Sequence, residues 1–141
     1  MRGYSLVEVL VAVAIVAAAV AGLPPLVAMS ARANMQSKQT TIAAILAQQK
    51  MEQMVVGGGL TQSPADALAD DIEGYAEFFD RAGAVLRGGS TPPAGSAYVR
   101  RWSVEPLTET ANGSWLLQVV VIDLRSRGVA RIVAARSRQQ S

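Results

Sequence analysis

Residues 9–29 carry no charged side chain, and this one run constrains the chain more than anything else in it. Its length matches the ~20 residues that cross about 30 Å of hydrocarbon as a helix. From residue 4 onward only Ser5 and Glu8 interrupt the apolar character before residue 30. Gly22, Pro24 and Pro25 lie near its far end. A proline removes a backbone donor and crowds the preceding turn, so a kink or local unwinding is expected around residues 22–26. In lipid such a break needs neighbouring helices or water to satisfy the freed carbonyls.

Residues 30–56 turn polar without any turn signal and contain neither glycine nor proline. They are rich in Ala, Gln, Met and Lys, which favour helix. Met35, Ile42, Ile45, Leu46 and Met54 fall near one stripe at helical spacing, which predicts an amphipathic helix burying that stripe. Gly57, Gly58 and Gly59 end it. The first ~55 residues therefore read as one helix, roughly 80 Å long if unbroken.

The remainder is short. The chain has 141 residues, room for one domain, and without the apolar run about 100 are left for a modest core of sheet on helix. Ser63 before Pro64 resembles a helix start, with a short helix expected over 64–71. Residues 75–79, a turn over Asp80 to Gly83, and residues 84–87 read as a hairpin, with a helix through Phe78 and Phe79 as the competing reading. Residues 88–96 form a loop by composition. Residues 98–105 alternate, with Tyr98, Arg100, Trp102 and Val104 on one face. Asn112-Gly113 marks a turn, residues 115–124 are β-branched and apolar on both faces, and Ser126-Arg127-Gly128 leads to a last strand over 129–135. Residues 136–141 read as a frayed tail.

The sequence holds no cysteine and no histidine. Disulfides, thiolate chemistry, the usual general base and the commonest metal ligand are all missing, which makes catalysis a poor expectation. There is no nucleophile–base pair, and no lysine follows the glycines at 57–59 at the spacing of a phosphate-binding loop. Asp70, Asp71 and Glu73 could ligate calcium but match no EF-hand spacing, so a solvated acidic loop is the expectation. Net charge is +2, yet the charges segregate: residues 52–80 are acidic, while Arg100, Arg101, Arg125, Arg127, Arg131, Arg136 and Arg138 make the end basic. Such asymmetry suits a nucleic-acid or membrane partner, or subunits meeting through opposite faces. Trp102 and Trp115 read as core or sheet-face aromatics.

Glu8 is the residue that apolar burial does not explain. A carboxylate in a membrane-spanning helix costs several kcal/mol or more and persists where a partner satisfies it. Gly3-Tyr4-Ser5-Leu6-Val7-Glu8, followed by the apolar run, resembles the prepilin signature of type IV pilins and type II secretion pseudopilins. Pro25 stands where many pilins carry a helix-kinking proline. Residues 47–52 and 98–104 look like minor pilins of the pilus-modification-protein class. The resemblance implies an α+β pilin-like fold, a long N-terminal helix packed on a small C-terminal antiparallel sheet. It divides the chain into a leader (1–3), a membrane or filament-core half-helix (4–29), an amphipathic half-helix (30–56) and a connector with a β-sheet head (57–141).

It further implies cleavage between Gly3 and Tyr4 by prepilin peptidase, N-methylation of Tyr4, and pairing of Glu8 with the Tyr4 amine of a neighbouring subunit. The three-residue leader is short for this signature, and tyrosine replaces the more usual phenylalanine. The implied function is a non-enzymatic minor pilin without cofactor. Its implied partners are the peptidase, other pilin or pseudopilin subunits, an inner-membrane assembly platform and membrane lipid. A single-pass inner-membrane location with a periplasmic head is implied as well. That orientation comes from the resemblance alone, because Arg2 precedes the span while Arg32 and Lys38 follow it. A type II secretion minor pseudopilin is the near alternative, and a DNA-binding competence pilin using the arginine set is the more distant one. A secretory signal peptide cut after Ala33 is the rival for the N-terminus. Glu8 inside the apolar region and the uninterrupted helix beyond Ala33 argue against it.

Overall fold

The computed structural model of the chain describes residues 5–107 and 113–137. Helix α1 runs over Leu6–Val56. Strands β1 (Ala76–Phe79), β2 (Val85–Gly88), β3 (Tyr98–Leu107), β4 (Ser114–Asp123) and β5 (Val129–Arg136) form one antiparallel sheet in the order β2-β1-β3-β4-β5. This is the α+β layout implied by the sequence. The chain divides into two compact units, residues 1–38 and residues 39–141, with α1 running through both.

In the first unit the helix is continuous across Pro24 and Pro25. The expected local unwinding around residues 22–26 does not occur. Proline's fixed φ is itself helical, so two missing donors thin the hydrogen-bond ladder without forcing the chain out of the helix. By length and composition this stretch is able to cross a membrane, and its apolar side chains are exposed.

In the second unit, residues 39–56 of α1 lie on the sheet. Their buried side chains are Ala43, Leu46, Ala47, Met51 and Met54, packed with Phe79, Tyr98, Trp102, Val104, Leu117, Val119 and Val121. Of the expected stripe, Leu46 and Met54 are buried and Ile42 packs against them, and Met35 and Ile45 depart from it. Met35 and Ile45 are 64% and 50% exposed, whereas Ala47 is fully buried. Small alanines let helix and sheet approach closely, and contact rather than side-chain size selects the buried face. The opposite face of the sheet buries Ala76, Phe78 and Val99, with Ile122 against them. The hairpin reading of residues 75–87 holds; β4 buries Leu117, Val119 and Val121 on the helix side, while on its other face Val120 is buried and Leu116, Gln118 and Ile122 are half-buried. Both tryptophans belong to the core facing the helix, Trp115 at its margin.

The helix stops where the glycines begin. A Cβ on Gly57 would meet the Gln53 carbonyl oxygen at 2.7 Å, and Gly59 adopts a left-handed φ of 74°. The short helix expected over 64–71 is absent; residues 65–69 form consecutive turns. The reason lies in β3, whose long edge is paired by β1 only between Tyr98 and Arg101. Beyond that point its backbone groups need other partners. Tyr75 O accepts from Trp102 N–H at 3.2 Å, and Ser63 N–H donates to Val104 O at 3.0 Å. The Ser63 hydroxyl accepts from Val104 N–H at 3.0 Å and donates to Val104 O at 3.3 Å. It extends the sheet instead of capping a helix. Replacing Ser63 with alanine leaves the buried Val104 N–H without its acceptor, so urea denaturation should show a loss of about 1–2 kcal/mol. Of the Asn112-Gly113 turn, Asn112 lies outside the described residues. The predicted tail begins within the last strand, as Arg136 is part of β5, and Arg138 lies outside the described residues.

Candidate functional site

Two groupings of charge stand out, one in each unit. The first is the start of α1. Ser5 precedes the first helical residue, Leu6, and its Oγ accepts the Val7 N–H at 3.3 Å. Glu8 reaches back, its Oε2 accepting the Ser5 N–H at 3.4 Å. The Ser5-x-x-Glu8 pattern therefore builds a reciprocal capping box that satisfies two of the otherwise orphan helix-start donors. The carboxylate also complements the positive end of the helix dipole. Glu8 thus has a partner within its own chain, which the sequence reading did not identify although the four-residue pattern was there to read. Below it, Val9, Ala12, Val13, Val16, Ala17 and Val20 line one shallow apolar face together with Glu8. Gly3 and Tyr4, the expected cleavage pair, lie outside the described residues.

The second grouping lies between α1 and the sheet. Arg100 stands on the apolar face of β3 with only 6% of its side chain exposed. Its Nη1 donates to Leu46 O of the helix at 2.8 Å, its Nε to Glu77 Oε2 at 3.1 Å, and its Nη2 bonds the same oxygen. Glu77 Oε1 lies 3.6 Å from Lys50 Nζ. That ammonium sits 3.4 Å from the centroid of the Trp102 ring. One carboxylate therefore serves two cations at the helix–sheet junction. A charge among the alternating residues Tyr98, Arg100, Trp102 and Val104 was the visible signal of this cluster.

Burial holds the Lys50 amine below its ordinary value of 10.5, with Glu77 opposing the shift and Arg100 reinforcing it. Between the lowered value and 10.5 the folded chain binds fewer protons than the unfolded chain, so this group's contribution to stability rises with pH. The melting temperature of the wild type should therefore gain on that of Lys50→Met as pH rises towards 10.5. A flat difference would mean that the amine stays fully charged in the fold.

Other arginines of the basic C-terminal third also turn inward. Arg101 Nε donates to Asp71 Oδ1 at 2.8 Å, and its Nη1 bonds the Leu68 and Ala69 carbonyls, fixing the acidic connector to the sheet. Arg136 Nη1 donates to Met54 O at 2.9 Å and Gly57 O at 2.6 Å, carbonyls that the helix end leaves free. With Arg100, three of the candidate phosphate-binding residues are committed to internal oxygens. Asp71 pairs with Arg101, and among the described residues no group of three or more potential ligands converges on a metal position. The arrangement contains charge pairing, capping and an apolar helix surface.

Residues 1–24 match the family model of the prokaryotic N-terminal methylation motif. Comparisons with curated proteins and with solved structures give no match.

Proposed function

We propose that this chain, whose residues 1–24 carry the signature of type IV pilins and pseudopilins, is a filament subunit of the minor pilin kind that takes part in pilus assembly or tip priming. The observation that carries the reading is the methylation motif running directly into an exposed apolar helix long enough to cross a membrane. In this reading prepilin peptidase removes residues 1–3 between Gly3 and Tyr4 and methylates the new Tyr4 amine. Residues 4–29 hold the subunit in the inner membrane in a single pass, with a slight bend at Pro24 and Pro25, and later enter the filament core. Residues 30–56 carry the head, residues 57–141, in the periplasm.

Glu8 is the assembly residue. Before assembly its carboxylate is held by Ser5; on entry it pairs with the Tyr4 amine of a neighbouring subunit, because an unpaired buried charge is the costly state. The chain acts as substrate of the peptidase and as building unit, without cofactor and without catalysis of its own. Its further partners are other pilin subunits, the inner-membrane assembly platform and lipid. A minor pseudopilin of a type II secretion system would use the same N-terminus. The DNA-binding competence reading is weakened by the inward-turned Arg100, Arg101 and Arg136.

Shearing surface filaments from cells that make an epitope-tagged chain tests the assignment. Tagged mature chain in sheared pili supports the pilus reading. Its presence only in short envelope-bound fibres moves it to the secretion system, and its absence from every fibre contradicts filament membership.

A further inference from the structure

The head has two exposed surfaces of opposite charge that do not neutralise each other. On the first, the β4–β5 turn is fixed by buried Asp123, whose Oδ1 accepts Arg125 N–H at 2.7 Å and Ser126 N–H at 3.0 Å. The turn presents Arg125 and Arg127 to solvent, and neither pairs with an acid among the described residues. Beside it, on the sheet face turned away from α1, Val129 and Val133 of the edge strand β5 are 62% and 54% exposed. A sheet face bearing valines rimmed by arginines suits an acidic, partly apolar partner.

The second surface is the connector that Arg101 fastens to β3. Asp66, Asp70 and Glu73 are exposed there without a basic partner among the described residues, and Ala65 and Ala69 are exposed between them. β3 and β5 are two strands apart, roughly 10 Å. No ion pair joins the two surfaces within the described residues of one head.

We infer that the β4–β5 turn and outer face of β5 receive the acidic connector of a second copy of this chain. The inference rests on the filament-subunit reading, which supplies the reason for a second copy as occupant. The contact joins two different surfaces, the β4–β5 side of one copy and the connector of the other. Arg127 fits this use, since it holds a left-handed φ of 58°, a conformation that favours glycine.

The chain contains no cysteine, so single-cysteine copies report the contact cleanly. Full-length chain carrying Asp70→Cys is made in membranes together with differently tagged chain carrying Arg125→Cys or Arg127→Cys, and oxidised. A disulfide-linked pair is expected from these combinations and not from Asp70→Cys with Arg81→Cys, which lies in the turn joining β1 and β2. No Asp70 link, or equal yield with the Arg81 control, would overturn the inference.

In co-purification from detergent at low salt, the double variant R125E/R127E should lose self-association at least tenfold and regain it with a D70R/E73R partner. Undiminished association of the double variant overturns the inference, as does failure of the charge-reversed partner to restore it. Loss of binding to a DNA duplex or to anionic phospholipid vesicles with self-association unchanged assigns the surface to a phosphate ligand and overturns it too. Arg127→Gly should weaken association without lowering Tm; a lowered Tm would give Arg127 a structural role instead. Missing links in normally processed chain sink the contact alone, whereas links without leader cleavage sink the filament reading.

Discussion

A chain with Glu8 replaced by alanine enters the membrane at the wild-type level and falls at least tenfold in filaments. In the proposed reading, membrane entry depends on residues 9–29, which the substitution does not touch. Under the proposed pairing, assembly depends on the charge, because leaving the Tyr4 ammonium of a neighbouring subunit without its carboxylate inside the filament would cost about 3 kcal/mol or more, well over tenfold in an equilibrium. The capping box complicates the alanine variant, since losing the Ser5–Glu8 exchange also loosens the helix start by about 1 kcal/mol. Glu8→Gln separates the two roles. Glutamine still accepts the Ser5 N–H from the same position, so the helix start survives, but the charge is gone. Both variants should fail to assemble. If Glu8→Gln assembles normally while Glu8→Ala does not, Glu8 is a helix cap and the pairing account is wrong.

The second large effect is expected in the head. Glu77→Gln removes the one carboxylate shared by Arg100 and Lys50, whose side chains are only 6% and 13% exposed. Two cations then face each other across the helix–sheet junction. Removing one member of a buried pair typically costs 3–5 kcal/mol; Glu77 is itself partly exposed, so about 2–3 kcal/mol is expected here. For a unit of about 100 residues that lowers the melting temperature by roughly 10–20 °C. Replacing Arg100 and Glu77 together with methionine and leucine should recover much of the loss, because the desolvation cost disappears with both charges. An unchanged melting temperature for Glu77→Gln would show the cluster to be hydrated and unimportant for the fold.

The helix and the sheet were legible in the sequence for different reasons. Gly57 to Gly59 mark the helix end unambiguously, since both the close approach at Gln53 O and the left-handed φ at Gly59 demand glycine. The strands were legible from alternation in β3 and from β-branched residues in β4. Helical spacing alone could not choose between the stripe through Met35 and Ile45 and the neighbouring one through Ala43 and Ala47. That choice depends on how near the sheet can come, and a sequence without its fold does not state it. Ser63 misled because serine before proline fits a helix cap locally, while the need of the β3 edge for partners is a tertiary demand. At the candidate site, the carboxylate in the apolar helix was visible from its cost alone, and its capping partner Ser5 was written three residues earlier. Arg100 was visible as a charge on an apolar face; that Leu46 O and Glu77 would receive it was not.

The most direct test of the central claim is the mass of the mature chain made beside a prepilin peptidase. Loss of Met1, Arg2 and Gly3 with the gain of one methyl group on Tyr4 is the predicted result. A chain that keeps its first three residues under those conditions, or one cut after Ala33, would contradict it.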